Sequence, residues 1–281
     1  MSPFSFAQRL LPKRLISSAA GMLARIESPS ILKNQLIRWF IAHYGVDMSE
    51  AARTSPGSYS CFEDFFTREL KPSIRPQPCD RRVISCPVDG TVSACGLIAK
   101  GTLVSAKGHD YSVSELMAAD SSSFEGGTYA TFYLAPRDYH RVHVPTDAEL
   151  EGVSHVPGAL FSVNARTEAD ISALLCRNER VAFQLMLEEG RLCLVMVGAL
   201  IVAGISTRYL SPHARNSGLR RPVVRRDCRE RLNRGLELGR FRMGSTVVLL
   251  LTEDAGELAG LEPGRGVRVG EAIGMLGKAR Q

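Results

Sequence analysis

Three short stretches of the sequence carry side chains able to move protons or attack a carbonyl. In SCPVDGTV, Asp89 stands immediately before Gly90 between two apolar runs. Asp-Gly in that setting signals a hairpin turn, and it equally leaves an acid at the tip of a loop. In FYLAPRDYHRVHVP, His140 and His143 sit among apolar neighbours, with Arg137 and Asp138 just before them. Such a pair serves as packed core histidines, as metal ligands or as acid and base, and no third ligand at a matching spacing decides among these. In GRFRMGSTVVLLL, Gly244-Ser245-Thr246 opens a strongly apolar run. A Gly-Ser turn before a strand is ordinary. It is also what self-cleavage requires, since glycine admits a strained backbone and serine brings a hydroxyl that can attack the preceding carbonyl. An acid, a histidine and a serine are thus available for a triad in which His143 deprotonates Ser245 and Asp89 orients the histidine. Whether they meet is a matter for the fold.

The elements that would hold them are legible in outline. From residue 83 onward, short apolar runs are punctuated by Gly, Pro and Asp: VISCPVDGTVSACG, GTYATFYLA, YHRVHVP, RVAFQLML, LCLVMVGALIVAGIST and STVVLLLT. These are predicted strands. VSELMAA and TEADISALL have helical spacing, and the tail GRGVRVGEAIGML reads as a turn and a strand. Residues 1–70 are predicted helical. The expected class is α+β: a β-rich, sandwich or barrel-like body of mainly antiparallel strands (residues 71–281) preceded by an N-terminal helical lobe. No internal repeat is present.

Charge is unevenly placed. Of the net +6 over 281 residues, residues 1–44 hold Arg9, Lys13, Arg14, Arg25, Lys33 and Arg38 against Glu27. In the same stretch Leu15, Ala19, Met22 and Ile26, and then Ile37, Phe40, Ile41 and Tyr44, recur at helical spacing, which predicts two amphipathic basic helices. Such helices either pack on the body or lie in a membrane interface with Lys and Arg on anionic lipid. The only tryptophan, Trp39, belongs to the second. A second basic run, 208–242, has eleven arginines; its opening LSPHARNSGLRRP reads as a solvated loop. It lacks interleaved aromatics and a groove-entering motif, so nucleic acid is not expected as a partner. No apolar run approaches the roughly 20 residues of a spanning helix, and charges interrupt the N-terminal apolar stretch, unlike a secretory signal. Seven cysteines without C-x-x-C predict reduced thiols and no zinc site.

FEDFFTRELKPSIRP (62–76), CPVDGTV (86–92), KGHDYSVSELM (107–117), YLAPRDYHRVHVP (133–145), GALFSVN (158–164), NERV (178–181), VGALIVAGI (197–205) and LGRFRMGST (238–246) together resemble the phosphatidylserine decarboxylases. The matches keep family order from about residue 31 to the C-terminus, and PRDYHRVH with GRFxxGST is highly specific. The resemblance implies a zymogen that cuts itself between Gly244 and Ser245 into chains 1–244 and 245–281, with Asp89, His143 and Ser245 as the self-cleavage triad. Ser245 would become a covalent pyruvoyl group that forms a Schiff base with the lipid serine, and His140 would serve decarboxylation and protonation. The family needs no metal and no pyridoxal phosphate. The implied product is phosphatidylethanolamine with carbon dioxide. The implied setting is the cytoplasmic face of the cell membrane, held peripherally on an anionic surface through residues 1–70, as a heterodimer of the two cleaved chains or a dimer of these. Two departures stand out: where the family carries an acidic pair before its G-x-F element, this chain has Leu236-Glu237, and the arginine-rich stretch 208–234 matches family sequence poorly.

Other readings of the same residues are a pyruvoyl decarboxylase of a soluble amino acid or of S-adenosylmethionine, a serine hydrolase, and a lipoyl/biotinyl-like binding module suggested by VRVGEAIGML. The hydrolase reading lacks a G-x-S-x-G elbow, the binding module lacks a modifiable lysine in the expected turn, and a soluble substrate leaves the amphipathic N-terminus unexplained.

Overall fold

The computed structural model describes residues 21–104, 110–163, 170–171, 173–199, 204–210, 224–242 and 245–277. The start of the first predicted helix, most of TEADIS, the LSPHARNSGLRRP loop and Met243-Gly244 lie outside the described residues.

Helix α1 (Ser30–Tyr44) ends at Gly45, whose φ of 66° is the left-handed cap that glycine adopts without strain. It is apolar on more than one side. Ile37 and Phe40 pack with α2 (Phe62–Phe66), where Phe62, Phe65 and Phe66 are buried, while the buried Lys33 donates to the Tyr59 carbonyl. Phe40 meets Phe62 edge-on at 5.1 Å and Phe65 at 5.8 Å, a favourable geometry for opposed ring quadrupoles. With Ala24, Val46 and Tyr59 these rings form a small core of their own. On the other side Ile31, Leu32 and Trp39 are 68%, 62% and 55% exposed. The stripe predicted from Ile37 and Phe40 is therefore the one that packs, and a second stripe is left in water.

The body is β-rich. Its strands are β1 (Val83–Ser85), β2 (Gly90–Leu97), β3 (Thr102–Val104), β4 (Asp110–Ser112), β5 (Thr128–Leu134), β6 (Arg141–His143), β7 (Ala148–Val156) and β8 (Arg180–Met186). They continue with β9 (Arg191–Gly198), β10 (Ile205–Ser206), β11 (Val224–Leu232), β12 (Glu237–Phe241), β13 (Ser245–Leu251), β14 (Gly256–Leu258), β15 (Gly266–Val267) and β16 (Ala272–Leu276). Two short helices, α3 (Val113–Met117) and α4 (Leu174–Arg177), are inserted.

An eight-stranded sheet runs β11-β7-β8-β9-β13-β5-β2-β15, with every neighbouring pair antiparallel. All seven residues of its central strand β13 are buried. Val247, Leu249 and Leu251 enter a core closed by β6, β12, β10, β1 and β16 through Val142, Leu238, Ile205, Ile84 and Ile273. Val248 and Leu250 enter a second core covered by α3 and α4 through Val113, Leu116, Leu174 and Leu175. A strand covered on both faces has no use for alternation, which is why STVVLLL is apolar throughout.

One expectation is corrected. Asp89-Gly90 is not a hairpin tip: β1 pairs with β16 and β2 with β5 and β15, so the turn crosses between sheets. The latter half of the arginine-rich run, for which the sequence set no element, carries a strand. It forms β11, the edge of the large sheet, where Asp227, Arg229 and Arg231 are exposed; charges on an edge strand oppose pairing with another chain.

Candidate active site

Ser245 is the first residue of β13, opposite Leu134 of β5 and Gly198 of β9. It has zero exposure, and its Oγ is buried without a hydrogen-bond partner. A buried hydroxyl left unpaired costs about 1–3 kcal/mol, so the position is held against a penalty. Two segments are tied together beside it. One runs from Leu134 to His140. The other runs from Phe241 to Ser245, and its ends are tied to the first by the Leu134–Ser245 pairing and by the Phe241 N–H donating to the His140 carbonyl at 2.9 Å. Register thus brings the PRDYH segment and the start of β13 to one place, though they are more than 100 residues apart in sequence.

The PRDYH segment is a built turn. Asp138 Oδ2 accepts the Ala135 N–H at 2.7 Å, and the Asp138 N–H donates to the Ala135 carbonyl at 2.9 Å. Burial raises the Asp138 carboxyl above the ordinary range. At the end of the turn His140 is fully buried, its ring lying 4.1 Å from that of Phe66 at 18°. The carbonyls of Ala135 and Pro136 lie near the ring, yet neither nitrogen makes a hydrogen bond of good geometry. Burial, and then the charge of Arg68, push its pKa down to about 3, so it is a neutral imidazole at physiological pH.

His143, on β6, is fixed differently. Its Nδ1 lies 2.8 Å from the Gly235 carbonyl and its Nε2 3.0 Å from the Tyr139 hydroxyl. A carbonyl only accepts, so Nδ1 carries the proton and Nε2 is the basic nitrogen, which accepts from Tyr139. Burial lowers the His143 pKa. It does the opposite to the Tyr139 phenol, which stays protonated.

Asp89 is buried between sheets. Arg75 Nε reaches its Oδ1 at 3.0 Å, Arg75 Nη2 its Oδ2, and the Val269 N–H its Oδ1 at 2.8 Å. Gly90 permits this placement: a Cβ there would stand 2.5 Å from the Tyr133 carbonyl oxygen of β5. Asp89 does not hydrogen-bond His143. The two segments are joined by the backbone: the His143 N–H donates to the Pro87 carbonyl at 2.9 Å, two residues before Asp89. The structure therefore gathers Asp89, His140, His143 and Ser245 at one end of the large sheet without joining them in a chain of hydrogen bonds. Between Asp89 and Tyr139 opens a cavity of about 480 Å³, also lined by Arg68, Arg75 and Arg137.

Sequence reasoning assigned no part to four residues here. Phe66, Arg75 and Tyr139 lie inside the quoted motifs, but no spacing rule shows a ring stacking on His140 or a guanidinium claiming Asp89. The fourth, Asn178, has zero exposure; its Oδ1 accepts the Phe161 N–H at 3.0 Å, and its Nδ2 donates to the carbonyls of Phe161 at 2.8 Å and Gly198 at 2.9 Å. It ties the GALFSV segment to the residue paired with Ser245. Leu236-Glu237 also finds its place: Glu237 bridges Arg141 at 3.0 Å and Arg240 at 2.8 Å, while Leu236 is half exposed. Among the described residues no cluster of three or more His, Cys, Asp or Glu side chains is placed to hold a metal.

The family model described as phosphatidylserine decarboxylase matches residues 62–275, and a second, described as PSD, matches residues 3–45. Curated relatives are similar over nearly the whole chain. A phosphatidylserine decarboxylase proenzyme of Shewanella halifaxensis is 45% identical over 280 residues, covering 96% of each chain. The proenzyme of the same name from Shewanella loihica is 43% identical over 280 residues, covering 96% of this chain and 97% of its own. That of Shewanella woodyi is 46% identical over 257 residues, 88% of each. With the family model spanning the whole β body and its relatives matched almost end to end, the chain belongs to the phosphatidylserine decarboxylase family.

Proposed function

We propose that the chain is a proenzyme that cuts itself between Gly244 and Ser245 and then converts phosphatidylserine to phosphatidylethanolamine and carbon dioxide. The observation that carries this reading is the Ser245 hydroxyl, buried and unpaired at the head of β13 beside the His140 turn, in a member of this family.

In the processing step His143 Nε2 takes the Ser245 hydroxyl proton once Tyr139 releases that nitrogen, and Oγ attacks the Gly244 carbonyl carbon. The bond from that carbon to the Ser245 nitrogen breaks and the amine takes up a proton, leaving an ester. Loss of the Ser245 α-proton expels the Gly244 carboxylate from Cβ, and water then releases the nitrogen as ammonia and leaves a pyruvoyl end. Asp89, fixed by Arg75 and Val269, favours the imidazolium formed at His143 through its charge rather than by direct contact. Ser245 suits the group that results, because it begins a buried strand whose backbone is paired on both sides. The pyruvoyl carbonyl, once made, supplies an electron sink for the carbanion left by carbon dioxide. His140, neutral, carries a proton on one nitrogen only and is the donor to that carbon.

The two products of cleavage stay together for a physical reason. Strand β13 forms the middle of the sheet, with seven paired positions on β5 and seven on β9. We assign residues 1–70 to membrane association. Ile31, Leu32, Leu36 and Trp39 expose an apolar stripe beside exposed Arg38, and Met22, Leu23 and Ile26 extend it. No helix of the described residues is long and apolar enough to cross a membrane, and the stripe fits peripheral adhesion to an anionic surface at the cytoplasmic face. A soluble amino acid as substrate would leave that stripe without a use.

Intact mass under denaturing conditions tests the reading. The expected products are a fragment ending at Gly244 and one of 281 − 244 = 37 residues, the latter lighter by one ammonia than a serine-started peptide and blocked to Edman sequencing. A chain that stays whole in the presence of phosphatidylserine vesicles overturns it.

A further inference from the structure

A catalytic histidine is ordinarily oriented by a hydrogen bond on the nitrogen that does not react. His143 follows that rule through Gly235, whereas His140 has only the Ala135 and Pro136 carbonyls near its ring and no hydrogen bond of good geometry on either nitrogen. What lies against the ring is Phe66, at 4.1 Å and nearly parallel. Two residues further on, Arg68 is 3% exposed, its Nε and Nη1 make no hydrogen bond, and among the described residues it has no acidic partner within ion-pair distance. Its Nη2 donates to the carbonyls of Arg137 at 2.8 Å and Asp138 at 3.2 Å, the two residues before Tyr139-His140. Burying an unpaired guanidinium is costly. Here it clamps the turn that carries the histidine. The same segment grips the next residue too, since Arg141 Nε donates to the Thr67 carbonyl at 2.9 Å.

We propose that Phe66 and Arg68 are positioning residues for His140: the Phe66 face sets the plane of the imidazole, and the Arg68 fork fixes the turn beneath it, so that the ring is held without committing its N–H to a strong hydrogen bond. Residues of the helical lobe thus complete the decarboxylation site on the β body. This inference rests on the decarboxylase reading and on His140 acting after processing.

Because His143 serves self-cleavage and His140 decarboxylation, the two reactions separate a positioning role from a structural one. Phe66→Leu keeps apolar volume but removes the stacking plane. The expected result is normal conversion to the two fragments, a kcat for carbon dioxide release lowered at least tenfold, and an unchanged KM for phosphatidylserine in mixed micelles. Phe66→Tyr, which restores a ring, is expected to recover kcat to within threefold. Arg68→Lys, which loses the two-carbonyl fork, is expected to lower kcat in the same way. Phe62→Leu is the control: it lies in the same aromatic core, 6.1 Å from Phe66, without a contact to His140, and is expected to lower thermal stability with kcat intact. The inference is overturned if Phe66→Leu and Phe62→Leu behave alike, or if Phe66→Leu lowers processing and turnover in parallel. A wild-type chain that neither cleaves nor releases carbon dioxide would overturn the decarboxylase reading itself, which is a different outcome.

Discussion

Arg75 is the perturbation that most directly probes how the acid of the site is held. Its guanidinium spans Asp89 and Glu50, with side-chain exposures of 10%, 11% and 20%. Arg75→Gln removes contacts to both carboxylates. Each buried charge-assisted hydrogen bond contributes about 1.5–3 kcal/mol net. Asp89 keeps the Val269 N–H and Glu50 keeps Arg268 at 3.1 Å, so the loss is well short of a full buried-pair deletion and comes to about 3 kcal/mol. For a chain of this size that is a fall in Tm of roughly 6–9 °C. The measurement belongs in a Ser245→Ala background, where every molecule is uncut. A double-mutant cycle with Asp89→Asn isolates the pair, and its expected coupling is about 2 kcal/mol. With Ser245 restored, Arg75→Gln is expected to slow self-cleavage about tenfold, since Asp89 then loses its fixed position although it and His143 are intact. A coupling below about 0.5 kcal/mol, the scale of an exposed pair, would refute the reasoning. So would cleavage at the wild-type rate.

Three further outcomes are expected. His140 has a folded pKa near 3 against an unfolded value of 6.5; the unfolded chain binds the proton first, so stability is complete above about pH 6.5 and falls below it, by about 2 kcal/mol at pH 5 from this group. Denaturant titrations of Ser245→Ala at pH 7.5 and 5 should show that loss, and His140→Gln should remove it; an equal loss in both chains would contradict the burial argument. Asn178→Ala deletes three buried hydrogen bonds and should cost about 2–4 kcal/mol in denaturant, with slower processing than Asn178→Gln only if the longer amide reaches the same carbonyls; a stable, fully processed Asn178→Ala would sink that role. Leu32→Ser with Trp39→Ser should weaken flotation with anionic vesicles by about 2 kcal/mol or more in partition free energy and leave Tm within 1–2 °C or so of the parent, whereas Ile37→Ala should lower Tm and spare flotation; the reverse pattern would mean that the exposed stripe meets something other than lipid.

Local pattern determined a good deal. Punctuated apolar runs marked the strands, an uninterrupted STVVLLL marked a strand covered on both faces, and α3 appears where VSELM has helical spacing. Local pattern also located the three chemical segments, because Asp-Gly, H-x-x-H and Gly-Ser each lie within a few residues. It failed where the partner of a residue is distant. Whether Asp89 tips a hairpin depends on β16 and β5, which lie at least 39 residues away in sequence. Whether Ile37 faces lipid or protein depends on where α2 folds back, and the strand formed by VRRDCRERL, unmarked by any apolar pattern, depends on β7 offering an edge.

Side-chain types, then, are enough to name an acid, two histidines and a serine, because chemistry resides in functional groups. Tertiary structure alone decides their protonation and their partners. Burial makes His140 neutral, the Gly235 carbonyl selects the Nδ1 proton of His143, and Arg75 claims Asp89. Each of these follows from desolvation or from a hydrogen bond across the fold, and both are properties of what surrounds a residue in space, which its neighbours in sequence do not specify.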